Sequence, residues 1–191
     1  MKNVIFFSSL ILFIYGKDNP YINFQSFMNI QGGRIFNISL SQEQFGEQYN
    51  STGTLYYLKN RKYVFDTPNQ RISYNNDMIT TINKSTKQII FDKNVENDIT
   101  VLDILSGTND QLEIEDSILE KHGFRISFNM RDWGIKGDIW TIPNTGEPKK
   151  IVLKIPGEGN IILNIISSEI TTQINIPEIE TSRYEIIDLR E

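Results

Sequence analysis

Few residues of this chain offer reactive groups. His122 is the single histidine among 191 residues, and it stands beside Gly123 where a turn is expected. A serine-histidine-acid relay needs a nucleophile and an orienting acid around such a histidine, and no motif supplies them. Glu113, Glu115 and Asp116 gather near it. On a polar segment such a cluster reads as a solvated face, although two carboxylates brought together by folding would suit glycoside hydrolysis. The absence of cysteine removes thiolate zinc sites, thiol nucleophiles and disulfides. There is no glycine-rich phosphate loop, no P-loop lysine and no metal-ligand spacing.

What the chain has in quantity is apolar strand. From Gly53 to Asp92 it reads as successive short runs of aromatic and β-branched residues, broken at Lys59-Asn60, Thr67-Pro68-Asn69, Asn75-Asn76-Asp77 and Asn83-Lys84-Ser85. Alanine, the best helix former, is absent and isoleucine recurs, which favours β structure; genome composition bias would leave the same mark. At 39% hydrophobic and 23% charged residues the chain suits one globular domain. A net charge of -5 without a basic stripe excludes binding to a phosphate backbone.

The elements around these strands follow from periodicity and caps. Asn19-Pro20 is a helix start, and the spacing of Ile22, Phe24, Phe27, Met28 and Ile30 predicts a helix over 20–31, stopped by Gly32-Gly33. Arg34 to Phe45 alternates Phe36, Ile38 and Leu40 with Asn37, Ser39 and Ser41, the period of a half-buried strand, and should pair with the strand from Ser51 to Leu58. In that second strand apolar residues point both ways, so both faces must be covered. Asn97-Asp98 and Gly107 bracket a second short helix over 98–106. Gln111 to His122 suits either strand or helix. Strands resume at Phe124 to Phe128, Ile135 to Ile142, Ile151 to Ile155 and Asn160 to Ile166, and Tyr184 to Leu189 supplies a last edge strand. The expectation is a mainly β (α+β) fold: a strongly curved antiparallel sheet of about ten strands, an incomplete barrel with short helices covering its concave side.

Residues 1–16 differ in kind. Lys2 precedes an apolar run from Val4 to Tyr15, and Gly16 precedes polar Lys17-Asp18-Asn19-Pro20, the layout of a cleaved signal peptide. The run is shorter than the roughly 20 residues of an ordinary spanning helix. The expectation is a single exported domain over 17–191, with an N-terminal anchor as the alternative.

The stretch beginning at Gly53 resembles the periplasmic outer-membrane lipoprotein carrier family (LolA-like). Gly53, Leu55 and Tyr56 open its Gly-x-Leu-aromatic strand, and Lys59-Asn60 stands at its basic turn. Tyr63 and Phe65 are its next aromatics, Pro68, Asn76 and Gln88-Ile89 complete the order, and Ile174-Asn175-Ile176-Pro177 is similar to its apolar-x-apolar-x-Pro segment. The usual turn proline is Asn60 here, and Thr80 and Ile82 stand where Trp and Tyr are frequent. The resemblance implies a monomeric periplasmic carrier that works without catalysis or cofactor. Such a protein takes acylated lipoproteins from an inner-membrane releasing transporter to an outer-membrane acceptor.

By position, the resemblance makes Lys59 the tether of the lid helix and Tyr63 an aromatic associated with cargo transfer. Phe24, Phe27, Phe36, Ile38, Phe65, Val101, Leu102 and Leu105 are the expected lining and lid, chosen as apolar residues on the concave elements. The rival readings are an exported, non-catalytic envelope or sensor module whose apolar sheet is simply core, and a hydrolase using dispersed carboxylates.

Overall fold

In the computed structural model the protein is described over residues 19–44, 46–58, 62–75, 78–93, 104–105, 112–157 and 159–190. One helix, α1 (Pro20–Met28), precedes β1 (Arg34–Gln44), β2 (Glu47–Tyr57), β3 (Lys62–Asp66), β4 (Gln70–Asn75), β5 (Met78–Asn83) and β6 (Gln88–Lys93). After Ile104 and Leu105, which are helical, come β7 (Glu113–Glu120), β8 (Gly123–Met130), β9 (Ile135–Thr141), β10 (Pro148–Ile155), β11 (Gly159–Ile170) and β12 (Glu185–Asp188). The strands form one twelve-stranded sheet in the order β12-β6-β5-β4-β3-β2-β1-β11-β10-β9-β8-β7, open at β12 and β7. Two antiparallel meanders are thus joined where β1 pairs with β11.

Each meander follows from the period-two pattern and the turns between its runs. Phe36, Ile38 and Leu40 lie on one face as the alternation requires, and β1 pairs with β2 from Arg34↔Tyr57 to Gln44↔Glu47. Against β11 the register shifts between Asn37 and Ile38, which leaves Ile166 as the extra residue of a bulge and turns it out to solvent. The ambiguous segment ending near His122 is strand β7, held to β8 from Glu113↔Asn129 onward.

The sheet is curved enough to hold α1. This helix packs on β7 and β8 while the carbonyl of its Phe27 accepts a hydrogen bond from Arg34 of β1. β1 and β8 are four strands apart, roughly 19 Å in a flat sheet at about 4.8 Å per strand. A helix only about 10 Å across reaches both because the sheet wraps around it.

Two expectations about α1 need correction. Its start is as read, with the Asn19 side chain accepting from the N–H groups of Tyr21 and Ile22 and proline in the first turn. Its end is not at Gly32-Gly33: the helix stops at Met28, where Asn29 returns both its backbone and side-chain N–H to Gln25 O. Ile30 therefore lies beyond the helix, and Ile22 is exposed. Of the predicted second helix, Ile104 and Leu105 are helical and buried; its other residues lie outside the described ones, as do the turns at Lys59-Asn60 and Asn76.

The other face of the sheet is crossed, past Tyr56, Val64 and Arg71, by the chain's own return. After β11 the backbone crosses at Gly33, where any Cβ would lie 2.7 Å from Ile174 Cδ1, and reaches Arg71 of β4, whose Nη1 donates to Pro177 O at 2.7 Å. Arg71 also pairs with Asp66 at 2.6 Å, and Lys84 holds the second carboxylate oxygen at 2.6 Å. This strap runs over the face that bears Tyr56 and Val64, both buried, which explains why Leu55, Tyr56 and Tyr57 are all out of water. It ends as β12, parallel to β6 from Glu185↔Gln88 to Asp188↔Phe91. The last edge strand is present as expected, but parallel: a chain that crosses the whole half-sheet arrives running the same way as β6.

Candidate functional site

The face turned toward α1 is an apolar floor built from rows of cross-strand neighbours. One row runs Phe36, Leu55, Phe65, Ile72 and a second runs Tyr57, Tyr63, Tyr74, Ile79. In the second, the Tyr63 and Tyr74 rings stack at 5.0 Å. Across β1 the floor continues through Leu40, Leu163, Ile151, Ile139 and Ile126. Such pairs stabilise a sheet through side-chain contact, and here they give a continuous surface of apolar and tyrosine side chains, bordered on β1 by Arg34 opposite Tyr57. Phe128 can lie over the floor because its neighbour is Gly137, where an added Cβ would be 2.4 Å from Phe128 Cζ.

Among the described residues, α1 and Ile104-Leu105 close the floor. Phe24 and Met28, one turn apart on α1, are fully buried against it, with Tyr21 and Phe27 packed beside them, and Ile104 and Leu105 complete the cover. Phe24, Phe36, Ile38, Tyr63, Phe65 and Leu105 belong to one buried hydrophobic cluster, and Phe27 is packed against it. Lys59, Val101 and Leu102 lie outside the described residues. A cavity of about 450 Å³ lies at the ends of β9, β10 and β11, beside Lys136, Lys154, Ile155 and Pro156, on the rim rather than over the floor.

α1 is seated by one close backbone approach and one polar contact. Gly146, at φ 71° in the turn between β9 and β10, lets the backbone of Asn23 approach so closely that a Cβ would meet its carbonyl carbon and oxygen. At the other end of the helix Arg34 donates from Nε to Phe27 O at 2.6 Å, and its guanidinium lies 3.3 Å from the centre of the Phe27 ring. It thereby satisfies a helix-end carbonyl that has no intrahelical partner and places a cation at the negative end of the helix dipole. Arg34 is only 2% exposed, and burial lowers its pKa from the usual arginine value, opposed by the through-space field of Glu147. Arg34 was not among the residues singled out from sequence. The available signal was its phase: two residues before Phe36 and four before Ile38, it belongs to their apolar face.

The polar groups that could serve catalysis lie elsewhere. His122 is exposed in the turn between β7 and β8, and Glu113, Glu115 and Asp116 are exposed on edge strand β7. Asp138, nearly buried on the outer face, accepts from Ser127 Oγ at 2.7 Å and pairs with Arg125 at 3.2 Å. Among the described residues no group of His, Asp and Glu could hold a metal ion, and no helix is long and apolar enough to cross a membrane.

No family model matches the chain, and no curated protein does. Solved structures do. The chain is similar to an uncharacterized conserved protein from Thermus thermophilus, with a TM-score of 0.54 at 8% identity, over 88% of this chain and 96% of that one. A LolA superfamily protein from Nitrosomonas europaea gives a TM-score of 0.45 at 10% identity over 83% and 93%. A domain from Vibrio parahaemolyticus named for outer membrane lipoprotein sorting gives 0.46 at 10% over 82% and 92%. The first is a likeness of fold across nearly the whole of both chains. An open, curved, mainly β sheet with a helix on its inner face, the architecture expected from the sequence resemblance, is the one this chain adopts.

Proposed function

We propose that the protein is a carrier that shelters acyl chains on the inner face of its sheet. One observation carries the reading: among the described residues, the apolar floor is covered on that side by a nine-residue helix and by Ile104 and Leu105, and not by a second sheet. A helix of this length is not stable by itself, so it stays on the floor through packing and can leave it when another apolar body takes its place. Burying an alkyl chain is worth roughly 0.8 kcal/mol per methylene. About fourteen methylenes give a gross gain near 11 kcal/mol, from which displacement of the cover and ordering of the ligand are subtracted. That leaves room for binding that is firm but reversible, as a carrier requires.

In this reading Phe36, Ile38, Tyr63 and Phe65 are floor, and Phe24, Phe27 and Leu105 are cover. Lys59, Val101 and Leu102 belong to the tether and lid. The cargo that suits the sequence resemblance is the acylated end of a lipoprotein, received in the periplasm from an inner-membrane transporter and passed to an outer-membrane acceptor by a monomer. The test is displacement of a fluorescent fatty-acyl probe from the purified protein. Saturable binding weakened by Tyr63→Ala is expected, and absence of saturable binding removes the proposal. The complete burial of Phe24, Met28, Ile104 and Leu105 favours the second reading, an exported envelope or sensor module in which this cluster is permanent core.

A further inference from the structure

Arg34 does more than its hydrogen bond to α1 requires. Capping Phe27 O uses one donor, Nε, whereas a guanidinium carries five. Among the described residues, neither terminal nitrogen of Arg34 has a hydrogen-bond partner and no carboxylate is in ion-pair contact with it. Glu147 acts on it only through space, and Glu147 Oε1 is already engaged by Lys149 Nζ at 2.7 Å and Ser168 Oγ at 3.0 Å. An arginine cannot shed its charge at neutral pH. Arg34 is only 2% exposed, and what exposure it has includes the terminal nitrogens, so an anion can reach the fork from solvent and offset the cost of a nearly buried cation. The unspent donors are the paired terminal nitrogens, whose planar fork matches a carboxylate or phosphate.

We propose that Arg34 is an anion site, which receives the carboxylate or phosphate head of an amphiphile whose acyl chain lies along the floor. This rests on the carrier reading and adds a head-group class to it. The geometry of β1 suits such a ligand. Phe36, Ile38 and Leu40 continue the face that Arg34 begins, and six residues of strand span roughly 20 Å at about 3.3 Å each. One leaflet's acyl chain occupies about 15 Å, half of a hydrocarbon core about 30 Å thick, so a head at Arg34 leaves the whole tail on apolar residues. The chain's net charge of -5 opposes anions in general, so a preference for them must come from a local site.

The experiment is competition against an uncharged fluorescent acyl probe bound to the full chain. The competitors share one alkyl chain and differ in head: a free fatty acid, its methyl ester and the corresponding lysophosphatidate. In the natural protein an anionic competitor should displace the probe at a concentration at least about tenfold lower than the ester, a difference of about 1.4 kcal/mol. Arg34→Gln should erase that difference, so that acid, lysophosphatidate and ester displace the probe at about the same concentration as one another. A lead for the acid identifies a fatty-acid carboxylate as the source, and a lead for the lysophosphatidate identifies a lipid phosphate. Equal displacement by all three competitors overturns the anion site while leaving the carrier reading intact, and this comparison needs no variant to fold. An Arg34→Gln protein that keeps the preference also overturns it. If the uncharged probe does not bind at all, the carrier reading fails and the anion site falls with it.

Discussion

Phe24 and Phe128 provide a matched pair for asking whether α1 is cover or core. Both rings are buried to within 1% of complete, Phe24 on the helix and Phe128 on β8 over Gly137. Truncating a buried phenylalanine to alanine typically costs about 3–5 kcal/mol. For a domain of this size that corresponds to a fall in Tm of about 6–20 °C, at about 2–4 °C per kcal/mol. Phe128→Ala should show the full loss, because β8 cannot leave the sheet without unfolding it. Phe24→Ala should show less, because the loss is capped at the free energy that docks α1; beyond that the helix detaches and the sheet persists. The same change should tighten acyl binding. If α1 is undocked in about 1% of molecules, weakening it by about 3 kcal/mol makes the undocked form predominant and raises apparent affinity by up to about 100-fold. Thermal melts beside titration with a fluorescent acyl probe provide both readouts. Equal losses of Tm in the two variants, with no gain of affinity in Phe24→Ala, would refute the reasoning and assign α1 to the permanent core.

Further expectations follow from single contacts. Gly146→Ala should push α1 off its seat, since the new Cβ would meet the Asn23 backbone at a residue already at φ 71°; weaker protection of the α1 amides from hydrogen exchange checks it. For Asp66, burial pushes the carboxyl pKa up, but hydrogen bonds from Arg71 and Lys84 outweigh this and hold it below the ordinary value. A lowered folded-state pKa contributes stability that is present above the unfolded carboxylate value and lost as pH falls through the folded one. Acid titration of the melt should therefore show a loss of stability in that range that is absent from Asp66→Asn. At neutral pH Asp66→Asn should be less stable than the natural protein by about 1–3 kcal/mol.

Most strands were legible because their burial is local in origin. The alternation of Phe36, Ile38 and Leu40 with serine and asparagine fixes which face of β1 is buried, and the turn residues set the length of each run. The apolar residues on both sides of β2 announced a second cover, yet its identity was not readable. The strap from 171 to 184 offers only the short alternation of Ile174 and Ile176, and what holds it is tertiary: Gly33 leaves it room, and Arg71 reaches Pro177. The direction of β12 was hidden for the same reason, since it is set by the path of the strap. The end of α1 was misread because two glycines are the stronger sequence signal, while the side chain of Asn29 closes the helix earlier. In the site, the aromatic floor and cover could be read from apolar phase. Arg34 was passed over because an arginine at the start of a strand ordinarily faces water.

The measurement that tests the central claim most directly is hydrogen exchange of the full chain with and without a saturating fatty-acyl ligand. If acyl chains take the place of the cover, the amides of α1 should exchange faster when ligand is bound, while those of β1 and β11 keep or gain protection. Ligand binding that leaves α1 as protected as before, or no binding at all, would contradict the account.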